Sequence, residues 1–250
     1  MFIKGLVSIV TPAYNCDKYI SQTIDSVINQ TYPKWEMIII NDNSTDNTLS
    51  VIKKYAEIDQ RIKIVSLNMN LGAANARNLG LSNALGQYIA FLDSDDLWMP
   101  EKLEKQTTFM SKNNYCFTYT AYECFSETKS TKLIKIPNSL TYKQSLCNTA
   151  IGCLTVMIDR NIVGDIRMPL VRVGQDHLTW WSILKKGHIA YGLNLNLAKY
   201  RQVKGSLSHN KLNSIKKQWI IYRKEEKLPF TFSIFCFFCY ILNAFKKHYL

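Results

Sequence analysis

The stretch from Ala73 to Trp98, AANARNLGLSNALGQYIAFLDSDDLW, constrains the fold more than any other part of the chain. A helix-compatible run of small residues passes into YIAFL (Tyr88 to Leu92), and Asp93, Asp95 and Asp96 follow at once. A short, almost wholly apolar run bounded by turn signals reads as a strand buried on both faces of a parallel sheet. In open α/β sheets the carboxyl ends of the strands are where ligands bind. Carboxylates two residues apart on such a turn can converge on one hard cation, which can bridge to phosphate oxygens. That chemistry suits a nucleotide-linked sugar. The plainer alternative is an Asx-type turn that caps a helix beginning near Pro100.

The residues before this stretch alternate between strand and helix patterns. Leu6 to Val10 reads as the first strand, and Pro12 in the following Thr11-Pro12-Ala13-Tyr14-Asn15 is expected to stop it. Lys18 to Gln30 carries Ile20, Ile24, Val27 and Ile28 at helical spacing. Met37 to Ile40 is the next buried strand, ending in Asn41, Asp42, Asn43 and Ser44. A helix from Asp46 to Tyr55 follows, with Ser44 or Thr45 as its expected cap. Ile62 to Val65 is a third strand, Ala73 to Ala84 a helix and Tyr88 to Leu92 a fourth strand. The pattern predicts a doubly wound, mostly parallel sheet. Further along, the chain gives a helix from Glu101, strands at Tyr115 to Tyr119 and Thr155 to Ile158, a helix at Gln175 to Lys186, and a loop at Arg201 to His209.

Bulk properties narrow the class. With 250 residues, 47% hydrophobic and 20% charged, the chain is a folded protein large enough for one substantial α/β domain. The net charge of +12 is concentrated late: after Asp176 the only acids are Glu225 and Glu226. Such a basic pole can face nucleic acid, anionic lipid or a phosphorylated substrate. Seven scattered cysteines and no amino-terminal signal peptide favour reduced thiols, and the isolated Cys236-x-x-Cys239 lacks partners for zinc. No G-x-G-x-x-G or Walker-type loop occurs. Phe230 to Leu242 (FTFSIFCFFCYIL) is short for a membrane span but is flanked by Lys216, Lys217, Arg223, Lys224, Lys227, Lys246 and Lys247. It reads as a helix in an anionic membrane interface, with a core helix or a homodimer contact as the alternatives.

VSIVTPAYN (Val7 to Asn15), WEMIIINDNSTDNT (Trp35 to Thr48), the Ala73 to Trp98 stretch and GQDHLTWW (Gly174 to Trp181) together resemble family 2 glycosyltransferases in order and spacing. The layout is most similar to small bacterial enzymes building O-antigen, capsule or teichuronic acid chains. The resemblance implies an α/β nucleotide-diphospho-sugar transferase fold, Rossmann-like, with an aromatic helical tail. It implies a nucleotide-sugar-binding half over residues 1–100, an acceptor-binding half over 101–215 and the tail over 216–250. It further implies an inverting hexosyltransferase that uses Mn²⁺ or Mg²⁺, a donor that is a UDP-sugar, and a lipid-linked saccharide acceptor. The expected location is cytoplasmic, peripheral at the inner face of the cell membrane, with no nucleic-acid partner.

Residue by residue, the resemblance places Pro12, Tyr14 and Asn15 around the base and ribose, and Asp42 as acceptor of the pyrimidine N3–H. Asn41 stands where the family often has a second acid. Arg77 falls beside the diphosphate, Asp93 on ribose and metal, and Asp95 on the metal, with Asp96 orienting the turn. Asp176 matches the catalytic base, although Gln175 precedes it where a Glu is common; its plain alternative is a helix cap. His177 is placed to contact acceptor or diphosphate, and at least one of Trp180 and Trp181 is expected in the core. The Q-x-x-R-W pattern of processive synthases is absent, so one sugar per acceptor is expected. Two other classes compete. A sugar nucleotidyltransferase would show a Gly-rich loop after the first strand, and TPAYNCDKY lacks one; a basic membrane or nucleic-acid adaptor would not need the four carboxylates Asp42, Asp93, Asp95 and Asp176.

Overall fold

The computed structural model describes residues 2–126, 132–171, 174–202 and 211–249. Its first half is built on strands whose odd and even positions are both apolar. In strand β1 (Ile3–Ala13), Val7 and Ile9 enter one core and Val10 the other. After helix α1 (Ile20–Ile28), strand β2 (Trp35–Asn41) is buried at every position, with Met37 and Ile39 on one face and Ile38 and Ile40 on the other. Such runs are stable only with helices covering both faces. Helix α2 (Thr48–Ile58), strand β3 (Ile62–Ser66), helix α3 (Ala73–Asn83) and strand β4 (Gly86–Phe91) complete the unit, and β1 pairs in parallel with both β2 and β4.

The second half extends the same sheet. In chain order it comprises β5 (Leu97–Trp98), α4 (Lys102–Asn113), β6 (Phe117–Phe125), β7 (Lys132–Ile134), β8 (Ser139–Leu140), α5 (Tyr142–Cys147), β9 (Met157–Asp159), α6 (Arg160–Val163), α7 (Gln175–Lys185) and β10 (Ala190–Arg201). Helix α8 (Lys211–Ile220), a π-helical turn at Ile221–Glu225 and helix α9 (Phe230–Tyr249) follow. The strand order is β3-β2-β1-β4-β9-β6-β10-β5, with β9 antiparallel to both β4 and β6. Helices α1, α2 and α4 supply one core, and α3, α7 and the carboxyl-terminal segment the other. Helix α3 lies close to the sheet because its residues are small: a Cβ on Gly80 would come within 2.5 Å of Val10 Cγ1.

Several sequence expectations need correction. Pro12 does not end β1 but pairs in register with Ile40. Val10 accepts from Leu92 N on the β4 side, whereas Ala13 accepts from Asp42 N on the β2 side. By strand alternation the missing Pro12 N–H points past the end of β4, where no ladder bond is lost. Ser44 and Thr45 do not cap α2, because both are tied to Asn15; Asp46 instead accepts from Thr48 N at 2.9 Å. Strand β6 runs on to Phe125, since Thr118 and Thr120 are buried there and obscure the apolar pattern. Thr155 ends a 3-10 turn rather than opening a strand. Strand β10 has no counterpart among the expected elements, and the loop expected at Arg201 to His209 begins with its last residue; beyond Gln202 that loop lies outside the described residues. The tail divides by face: Ile221, Tyr222, Leu228 and Cys236 join the core, whereas Phe230, Phe235 and Phe238 are exposed. No helix among the described residues is long and apolar enough to cross a membrane.

Candidate active site

The order β3-β2-β1-β4 reverses the direction of sheet growth between β1 and β4, and the crevice beyond their carboxyl ends is the expected ligand position of such a sheet. Three loops meet there. The first carries Tyr14, half exposed, and Asn15, whose φ of 47° places it in the left-handed region that asparagine tolerates. The Asn15 side chain accepts from Thr45 N at 2.8 Å while its own N–H donates to Ser44 Oγ at 3.1 Å, so it ties the β1 and β2 loops together.

The second loop carries Asp42, which is 3% exposed. Its two carboxylate oxygens accept separately from Leu71 N and Gly72 N, both at 2.8 Å. Asp42 therefore shapes the approach to α3. Its neighbour Asn41 accepts from Ser44 N at 3.3 Å.

The third loop carries the carboxylates. Asp93 pairs with Arg77 of α3 at 2.5 Å. Asp95 is raised above the usual carboxylate range by burial and by the charge of Asp93, with Arg201 opposing. Asp96 is fully buried and raised further, by burial and then by Asp93 and Asp95. Three acids crowd one turn, and added positive charge would relieve them. The turn is held from outside: the Thr23 hydroxyl donates to Asp96 O at 2.9 Å, Arg201 N donates to Asp96 Oδ1 at 2.8 Å, and Arg201 Nε donates to Asp95 O at 2.7 Å. The Arg201 guanidinium also lies over the Tyr19 and Phe125 rings. Asp96 is tied to the backbone of β10, a strand that the sequence reading missed. Neither Thr23 nor Arg201 carries a local signal for this role; both arrive through topology.

Asp176 enters from the other side, in the first turn of α7. Gly174 at its amino end has a φ of 74°, which strains any other residue, and a Cβ there would lie 2.3 Å from Ile221 Cδ1, so glycine suits a helix that starts against the carboxyl-terminal segment. Gln175 donates to Val171 O at 2.8 Å and accepts from Arg77 at 3.4 Å. Arg77 thus links the carboxylate turn to the start of α7. Burial works against its charge, but Asp93, with the fields of Cys153 and Asp176, outweighs burial and holds the guanidinium above its ordinary value. His177 stacks on Trp181, which stacks on Tyr222. Both tryptophans are core residues, Trp180 packing against Phe91 and Phe117. The structure therefore brings Arg77, Asp93, Asp95 and Gln175 with its neighbour Asp176 to one crevice, with Asp42 behind the β2 edge and Pro12 inside its strand.

The family model described as Glycosyl transferase family 2 matches residues 8–164. The Bacillus subtilis (strain 168) protein named for teichuronic acid biosynthesis, the glycosyltransferase TuaG, is 50% identical over 246 residues, covering 98% of each chain. The Escherichia coli UDP-Glc:α-D-GlcNAc-diphosphoundecaprenol β-1,3-glucosyltransferase WfgD is 39% identical over 244 residues, covering 97% of this chain and 95% of its own. Among solved structures, S. aureus TarS 1-349 in complex with UDP-GlcNAc superposes with a TM-score of 0.73 at 18% identity, covering 96% of this chain and 73% of that one. A Pyrobaculum calidifontis mannosyltransferase in complex with GDP-Man and Mn²⁺ gives 0.67 at 18% identity, covering 95% and 72%.

Proposed function

The chain belongs to glycosyl transferase family 2, and we propose that it is an inverting transferase that moves one hexose from a UDP-sugar to a lipid-linked saccharide in bacterial surface polysaccharide synthesis. The observation that carries this reading is the Arg77 bridge, which joins the carboxylate turn on the donor side to Gln175 and hence to Asp176 on the acceptor side. UDP-glucose and a GlcNAc-diphospho-lipid are the first pair to try, because WfgD is named for them.

In this reading Tyr14 offers its exposed ring to the base, and Asp42 fixes the backbone at Leu71 and Gly72 beside it. Arg77 Nε–H, buried and without a partner among the described residues, is a donor for a diphosphate oxygen. Asp93 and Asp95 offer hard oxygen atoms that would hold a Mg²⁺ or Mn²⁺ ion. The ion, when bound, neutralises charge growing on the departing diphosphate. Asp176 takes the proton of the acceptor hydroxyl as its oxygen bonds to the anomeric carbon. The bond from that carbon to the diphosphate oxygen breaks with its electron pair leaving on UDP, and a single displacement inverts the centre. His177, one residue on, is the group nearest in sequence to meet the acceptor. The reaction is placed at the inner face of the cell membrane, where such an acceptor is anchored.

Calorimetric titration of UDP in the presence and absence of Mn²⁺ tests the donor half. Binding that depends on Mn²⁺ and is lost in Asp95→Ala supports the assignment; unchanged binding in Asp95→Ala removes it.

A further inference from the structure

We infer that the outward face of α9 is a docking surface for an anionic phospholipid bilayer. At 3.6 residues per turn, Phe230, Ile234, Phe235, Phe238, Ile241 and Leu242 fall within about 140° of the helix circumference, over about 18 Å of its length. All six are between 39% and 61% exposed. The opposite face is different in kind: Ser233 and Cys236 are fully buried, and Phe232 beside them packs on the core. Asn243 closes the contact by donating to Cys147 O of α5 at 2.9 Å. A surface helix ordinarily turns polar residues outward. Here both faces are apolar, so the outer one faces something other than water.

Charge selects the occupant. From Lys211 to Lys247 the sequence holds eight Lys or Arg residues against Glu225 and Glu226. Glu226 is already consumed by Lys185 at 2.5 Å and by the Tyr142 hydroxyl, whereas Lys216, Lys224 and Lys227 are exposed. An apolar, aromatic stripe beside surplus cations matches a helix lying in the interface of an anionic leaflet. The helix is not one that could cross the bilayer. A second copy is the weaker partner, because a two-fold contact through this patch sets the two basic poles against each other.

The placement serves the reaction. Helix α5 packs against both α9 and α7, and Ile221 of the preceding turn lies against Gly174, two residues before Asp176. The docking face is thus one helix layer from the base, on the acceptor side. The choice of a bilayer rests in this respect on the lipid-linked acceptor proposed above.

The test uses the full chain and vesicles of phosphatidylglycerol or phosphatidylcholine. The parent is expected to sediment with phosphatidylglycerol vesicles, less with phosphatidylcholine, and less as salt rises. Phe235→Glu/Phe238→Glu should weaken vesicle binding by about tenfold or more per phenylalanine. Phe235→Ser/Phe238→Ser should weaken it in the same direction, and its milder change guards against misfolding. Ile58→Glu, at an 83% exposed position on α2, should sediment like the parent. Melting temperature and UDP binding should stay at parent values in all three. A parent that ignores phosphatidylglycerol, double variants that sediment as well as the parent, or a parent dimer that the variants dissolve would each overturn the proposal. Vesicle binding without UDP binding would overturn the catalytic reading and leave this one standing; UDP binding without vesicle binding would do the reverse.

Discussion

Arg77 and Asp93 meet at 2.5 Å, and the same guanidinium reaches the side chain of Gln175, the residue before Asp176. One guanidinium therefore ties the turn after β4 to the start of α7. The charge that opposes the crowding at Asp95 and Asp96 is that of Arg201.

Arg77→Met removes that cation and keeps much of the side-chain volume. The expected loss is about 1–3 kcal/mol of stability, the cost of leaving a partly buried carboxylate without its partner. UDP affinity should fall as well. Thermal melts and UDP titrations of parent and variant check both.

Asp42→Asn should act on the loop rather than on charge. An amide side chain has one acceptor oxygen, so it can satisfy Leu71 N–H or Gly72 N–H but not both. The expected cost is again about 1–3 kcal/mol, with faster hydrogen exchange at the amides of residues 71 and 72.

Lys102 gives the fold a pH dependence. It is fully buried, its ammonium donates to Gln106 at 2.6 Å, and burial lowers it to about 7 from 10.5. Between about 7 and 10.5 the unfolded chain carries the proton and the folded protein does not, so stability rises with pH across that window. Below about 7 both states are protonated and the full penalty of the buried charge applies. Lys102→Met should raise stability most at and below neutral pH, by on the order of a few kcal/mol, and flatten the rise. Denaturant unfolding across the pH range reads the slope.

The parallel half of the fold was legible because β2 and β4 are apolar on both faces, a pattern that only a covered sheet satisfies. Asp93, Asp95 and Asp96 were legible for the same reason, since they end such a strand. Strand β10 was not, because Asn194 and Asn196 interrupt its pattern at the register shifts against β6. Arg201, its last residue, could not be read as the clamp on Asp95 and Asp96, because 105 residues of chain separate it from Asp96 and only the sheet order brings them together. The tail read as either core or membrane helix, and the structure buries one of its faces and leaves the other exposed.

Asp176→Asn separates binding from chemistry. UDP affinity should stay close to that of the parent while transfer falls by about 10² or more, as when a general base is lost. Single-turnover rates measured beside UDP titrations give the two quantities independently, and retained turnover would move the base to another residue.

The anomeric configuration of the product tests the central claim most directly. With UDP-glucose, whose sugar is α-linked to the diphosphate, and a GlcNAc-diphospho-lipid acceptor, proton NMR of the isolated product should show a β-linked glucose, the signature of a single displacement driven by one carboxylate base. An α-linked product would contradict it.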